Sequence, residues 1–187
     1  KHLNIYKNDK INILEIGTWK GASVAAFYHY FKNAIIFCID KNFKFQFESS
    51  RVNFFNCDTE NFVDIENLEK YFTEKKSDFF EVIIDDGSHN YKDILNNFQN
   101  FFKKIKPGGY YIVEDFNHYR LLSTYINDSP QNALDIDEIF KYLLNKKHFK
   151  SDNLGEEFQK YCFDNISNIT THKGIQDSSY IAFIKKK

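Results

Sequence analysis

Carboxylates recur where β-forming runs of this chain stop. Phe79-Phe80-Glu81-Val82-Ile83-Ile84 runs into Asp85-Asp86-Gly87-Ser88-His89, and Tyr110-Tyr111-Ile112-Val113 runs into Glu114-Asp115. Three earlier runs close in Glu15-Ile16-Gly17, in Asp40 and in Cys57-Asp58. If the fourth and fifth runs are neighbouring strands, Asp86, Glu114 and Asp115 converge. Like charges held that close destabilise one another. A hard divalent cation relieves the conflict, and an all-oxygen set suits Mg²⁺ better than zinc. His89, three residues after Asp86 on a Gly-Ser turn, is placed to act as a base titrating near neutrality. The plainer reading of Asp85–Ser88 is a turn with helix-capping residues. That reading gives no reason for an acid pair on the next strand.

The first run opens a second site. In Glu15-Ile16-Gly17-Thr18-Trp19-Lys20-Gly21 the glycines permit a tight turn and a close approach of backbone to ligand. The dinucleotide pattern GxGxxG is not met, and an ordinary strand-to-helix turn explains this loop taken alone. Asp40 follows at the spacing of about 20 residues at which an acid meets ribose hydroxyls. Asp58 then stands where a carboxylate or neighbouring amide reaches an adenine edge. Two acids suit a nucleoside without phosphate and oppose a pyrophosphate, which favours S-adenosylmethionine over NAD.

The elements that must carry these residues alternate. Strands are predicted at Ile11–Ile16, Ala34–Ile39, Val52–Asn56, Phe79–Ile84 and Tyr110–Val113. Helices are predicted at Ala22–Phe31, Ile65–Glu74 and Tyr91–Ile105, the last with Ile94, Leu95, Phe98, Phe101 and Phe102 on one face. Lys106-Pro107-Gly108-Gly109 breaks that helix. A further helix is expected over Ile136–Leu144, then two strands, Phe163–Thr170 and Ser179–Ile184, joined through Lys173-Gly174. This is an α/β, doubly wound, mostly parallel sheet closed by an antiparallel pair, with ligands beyond the carboxyl ends of its strands.

The bulk numbers agree with one domain over residues 1–187, since 187 residues bury one proper core. A net charge of -1 gives no electrostatic reason for nucleic acid or an anionic membrane as partner. No apolar run approaches the ~20 residues of a membrane span, so a cytoplasmic location is expected. Cys38, Cys57 and Cys162 form no CxxC pair and read as small hydrophobes. The chain has no Met and begins at Lys1, as expected if preceding sequence is missing. Its Phe, Tyr, Asn, Lys and Ile richness suits an AT-rich bacterium.

Leu14–Ser23 resembles the first motif of class I S-adenosylmethionine methyltransferases, with Trp19 in place of the middle glycine of ExGxGxG. Ile84-Asp85-Asp86-Gly87-Ser88-His89, with Lys106–Asp115, is similar to the metal-dependent sugar O-methyltransferases of macrolide biosynthesis (the mycinamicin type) and their cephamycin-pathway relatives. The resemblance covers roughly residues 11 to 119 and implies a seven-stranded Rossmann-like methyltransferase sheet. It implies that Asp86, Glu114 and Asp115 hold Mg²⁺ and that His89 is the general base. Glu15, Gly17, Thr18, Gly21, Asp40, Asp58 and Asp85 are the residues expected to face the cofactor.

The expected function is therefore Mg²⁺-dependent O-methylation of a sugar or glycan precursor by S-adenosylmethionine. A catechol-like diol, an NAD-dependent oxidoreductase and a non-catalytic binding protein are the alternatives, and a homo-oligomer stays open. His118 and Tyr119 are expected to line an acceptor pocket, Tyr6 to border the cofactor, and Lys185–Lys187 to form a solvated tail.

Overall fold

The computed structural model of the protein describes residues 2–121, 133–176 and 179–187. β1 (Asn12–Ile16), β2 (Ile35–Asp40) and β4 (Phe80–Asp85) are short apolar runs whose inner residues are buried on both faces. With β3 (Val52–Asn56), β5 (Ile105–Glu114), β6 (Ile166–Lys173) and β7 (Tyr180–Lys186) they form a seven-stranded sheet in the order β3-β2-β1-β4-β5-β7-β6. The first five neighbours are parallel, and β7 runs antiparallel to both β5 and β6. The doubly wound, antiparallel-closed sheet is the one expected.

Register aligns the chemistry. Ile16 pairs with Asp85 and Asp85 with Val113, so Gly17, Asp86 and Glu114, one residue further, stand together at one edge. Two apolar layers hold the sheet. One packs α2 (Phe62–Glu74), α3 (Tyr91–Phe101), α5 (Ile136–Leu144) and α6 (Glu156–Asn165) through Leu68, Phe72, Ile94, Phe98, Phe140 and Phe158; the short α4 (His118–Leu121) follows β5. The opposite layer packs α1 (Ala22–Tyr30) through Val24 onto Ile13, Ile36 and Cys38. All three cysteines are free and buried.

Several boundaries differ from expectation. α2 begins at Phe62 rather than Ile65 because Asn61 caps it, its Oδ1 accepting from the amides of Val63 at 2.9 Å and Asp64 at 3.3 Å. The helix expected over Tyr91–Ile105 is α3 to Phe101, followed by a 3₁₀ turn over Phe102–Lys104. β5 starts at Ile105 and includes the expected Lys106–Gly109 breaker. A Cβ on Gly109 would meet the Glu81 carbonyl at 2.6 Å, so glycine lets this stretch lie against β4. The strand expected from Phe163 begins at Ile166, because Phe158, Cys162 and Phe163 share the buried face of α6.

Tyr6 and Lys186 lie away from where the sequence suggests. Tyr6 donates to the Gly108 carbonyl at 3.1 Å, at the amino end of β5 and away from the strand tips. Lys186 is no solvated tail: it is buried, and its Nζ donates to the carbonyls of Ile105 at 2.7 Å and Lys103 at 3.1 Å. Those carbonyls belong to the 3₁₀ turn and to the first residue of β5, and the ammonium satisfies both.

Candidate functional site

The site is built from backbone that ordinary residues resist. Among the described residues, five non-glycine residues have positive φ. Lys76 and Lys146 follow the ends of α2 and α5, a usual place for that conformation. The other three, Trp19 (φ 43), His89 (φ 59) and Asp115 (φ 48), follow β1, β4 and β5. Strained backbone therefore gathers at one edge of the sheet. The tips are laced together there: the Gly17 amide donates to the Ile39 carbonyl and the Asp86 amide to the Ile16 carbonyl, both at 2.9 Å.

Carboxylates crowd this edge. Burial pushes Asp86 up to about 8, helped by the charges of Glu114, Glu15, Asp115 and Asp85 in that order. Glu114 is raised by burial and by Asp115. Glu15 is fully buried and raised by burial; the Ser23 and Thr18 hydroxyls lie beside it, yet neither of its oxygens meets hydrogen-bond geometry. Such a group of acids must take up protons or a cation.

Nitrogen donors face it. His89 Nε2 lies 3.8 Å from Asp86 Oδ1, and His118 Nε2 lies 3.4 Å from Asp115 Oδ2. The two imidazoles meet edge to face at 5.0 Å. Donor atoms of His89, Asp115 and His118 all lie within 4.8 Å of one another. Burial lowers the His89 pKa, as does His118, while Asp115 opposes them. His89 is therefore held neutral at pH 7, the state in which imidazole accepts a proton. Two imidazoles and a carboxylate within reach of one another, with Asp86 beside them, can hold a divalent cation.

Beside the acids lies a cavity of about 620 Å³. Gly17, Asp40, Asp58, Asp86 and His89 all line it, so five of the expected site residues meet in one space. Asp40 Oδ2 accepts from the Trp19 amide and Oδ1 from the Asn42 amide, each at 2.7 Å. Its carboxylate is thereby fixed in orientation with lone pairs to spare. Asp58 Oδ1 accepts from the Glu60 amide at 3.2 Å. Glu114 and Asp115 lie outside this lining and adjoin it through Asp86.

Four further expected residues do not face the cavity. Glu15 and Thr18 are buried beneath the loop. Gly21 backs onto Phe45, whose ring a Cβ would meet at 1.8 Å. Asp85 points into the sheet: its oxygens accept from Asn97 Nδ2 at 3.1 Å and Tyr111 Oη at 3.2 Å, and burial pushes it up to about 7. These four shape the loops rather than their surface. Tyr119, expected in an acceptor pocket, is buried and braces Asp135 and the Ile136 amide.

Sequence reasoning missed Asp93 and Asn97, both lining the cavity from α3. Asp93 receives the Ser88 hydroxyl and Asn90 Nδ2, which pins the turn carrying His89. Polar residues interrupting the apolar face of α3 were the signal available.

A methyltransferase-domain sequence profile matches residues 14–116. Demethylmacrocin O-methyltransferase of Streptomyces fradiae is 29% identical over 62% of this chain and 30% of its own length. L-olivosyl-oleandolide 3-O-methyltransferase of Streptomyces antibioticus is 27% identical over 100% of this chain and 49% of its own. The chain thus spans half or less of the length of these two relatives. The solved MycE methyltransferase of the mycinamycin biosynthetic pathway, in complex with Mg and SAH, superposes with a TM-score of 0.71 at 22% identity. That likeness covers 99% of this chain and 47% of MycE, and it concerns the fold. With more than half of its residues inside the matched profile, the chain belongs to the methyltransferase-domain family.

Proposed function

We propose that this chain carries the catalytic site of an S-adenosylmethionine-dependent, divalent-cation-assisted O-methyltransferase whose acceptor is a sugar hydroxyl. The observation that carries the reading is the meeting of Asp86, Glu114 and Asp115 with His89, beside a cavity walled by Asp40 and Asp58. The names of the relatives support the choice of a sugar hydroxyl, and MycE's Mg and SAH support the two ligands.

In this reading Asp40 accepts hydrogen bonds from the ribose hydroxyls, and Gly17 lets the methionine end pass close to the backbone. Asp58 and its neighbours meet the adenine edge. Asp86, Glu114 and Asp115 hold Mg²⁺. The cation supplies orientation and a lowered pKa for an acceptor hydroxyl. His89 takes that proton on an imidazole nitrogen. The acceptor oxygen then bonds to the methyl carbon as the carbon–sulfur bond breaks, its electron pair staying on sulfur. Position is the protein's main contribution, because the sulfonium already makes the methyl group labile.

The test is methyl transfer from S-adenosylmethionine to a panel of sugar acceptors, with and without EDTA. Turnover that needs added Mg²⁺ agrees with the proposal. Full turnover in chelator rejects the cation's part in it.

A further inference from the structure

The sheet order leaves a second cavity on the side of the acids away from the nucleoside cavity. We propose that this cavity, of about 440 Å³ beyond the tips of β5 and β7 and beside α5, is a glycosyl subsite holding the acceptor's next sugar ring. The inference rests on the sugar O-methylation reading and adds to it how the acceptor lies.

Position is the first argument. Cavity-lining Phe116 and Asn117 directly follow Asp115, and Tyr180 opens β7, where Ile181 pairs with Glu114. Along the sheet edge come the nucleoside-facing tips of β3, β2 and β1, then the acids of β4 and β5, then this cavity. Methyl transfer needs the acceptor oxygen opposite the sulfur. The body of the acceptor must therefore extend away from the nucleoside, towards β7.

Chemistry is the second. Phe116 and Tyr180 meet edge to face at 6.0 Å, and aromatic walls suit the C–H face of a pyranose. Asn117 is buried, and its side-chain oxygen has no hydrogen-bond partner. An amide at the wall suits a vicinal hydroxyl pair, since it both donates and accepts. Charge argues against an anion: Arg120 is paired with Asp135 and Asp137, and Lys141 reaches Asp137 at 3.5 Å. The ligand favoured is polar, uncharged and partly apolar. The volume lies within the range of small-ligand pockets.

Saturation-transfer NMR and titration of the whole chain with methyl glycosides test this. The probes are single rings and the matching disaccharides in gluco, galacto and rhamno configuration. At least one disaccharide should bind about tenfold more tightly than its single ring. Asn117→Leu should abolish that preference, and so should Leu144→Trp, which fills the cavity from a rim position 40% exposed. Trp19, the chain's one tryptophan, lines the nucleoside cavity and reports binding of S-adenosylhomocysteine by fluorescence. That signal in Asn117→Leu, and calorimetric titration with S-adenosylhomocysteine in Leu144→Trp, should match wild type, which shows both variants folded. Equal binding of single rings and disaccharides, or a preference that survives Leu144→Trp, overturns the subsite. Disaccharide preference without any methyl transfer keeps the subsite and rejects the catalytic reading.

Discussion

A Cβ on Gly17 would sit 2.2 Å from the carbonyl oxygen of Asp86, so the first strand's loop and the acid turn of β4 are in backbone contact. At φ +87 the residue also lies where side chains are disfavoured. Gly17→Ala should lower stability by about 2 kcal/mol or more and weaken S-adenosylhomocysteine binding by about tenfold or more. Thermal unfolding and Trp19 fluorescence measure the two effects. A variant with wild-type values in both would mean that the loops can part at little cost.

His89 and Asp86 should separate base from cation holder. His89→Ala should reduce kcat by roughly 10²–10⁴ with Mg²⁺ affinity changed little. Asp86→Asn should weaken Mg²⁺ binding itself. Calorimetric titration with Mg²⁺, beside single-turnover methyl transfer, distinguishes them; a His89→Ala protein that turns over normally contradicts the assignment.

Asp85 should set a pH dependence of stability. Burial raises its folded pKa from 3.8 to about 7. A carboxyl raised in the folded state holds its proton better there than in the unfolded chain. Its contribution is complete below the unfolded pKa and is lost as pH rises through about 7. The loss amounts to as much as about 4 kcal/mol. Asp85→Asn keeps the shape and one of the two acceptor oxygens that Asn97 and Tyr111 donate to, and removes the charge. Denaturant titrations from pH 5 to pH 8 should show a flatter stability profile in the variant.

Lys186 should matter for the fold and not for the chemistry. Lys186→Met removes both hydrogen bonds to the carbonyls of Ile105 and Lys103 while keeping the aliphatic stem. A loss of about 1–3 kcal/mol is expected in chemical denaturation, with cofactor binding intact. A variant as stable as wild type would show that water replaces the ammonium.

Why some of this was legible in the sequence and some not follows from range. The strands of the parallel half declare themselves through unbroken apolar runs, and Asp40, Asp58, Asp86 and Glu114 follow because a strand tip is a local feature. Asp85 beside Asp86 shows where local reading ends. Successive residues at a strand end face opposite ways, and only the packing of Asn97 and Tyr111 reveals which acid turns inward. The α6–β6 boundary depended on burial against α3 and α5, which no short window contains. Lys186 found its partners more than eighty positions upstream, beyond any pattern of spacing.

β7 lies between β5 and β6 although it follows both in the chain. Until it is synthesised, β5 presents an open hydrogen-bonding edge directly under Glu114 and Asp115. The acid-bearing edge is therefore complete only once β7, the last-made strand of the sheet, has paired with β5. A chain ending before Tyr180 would expose the open edge of β5 beside the acids that β7 otherwise covers.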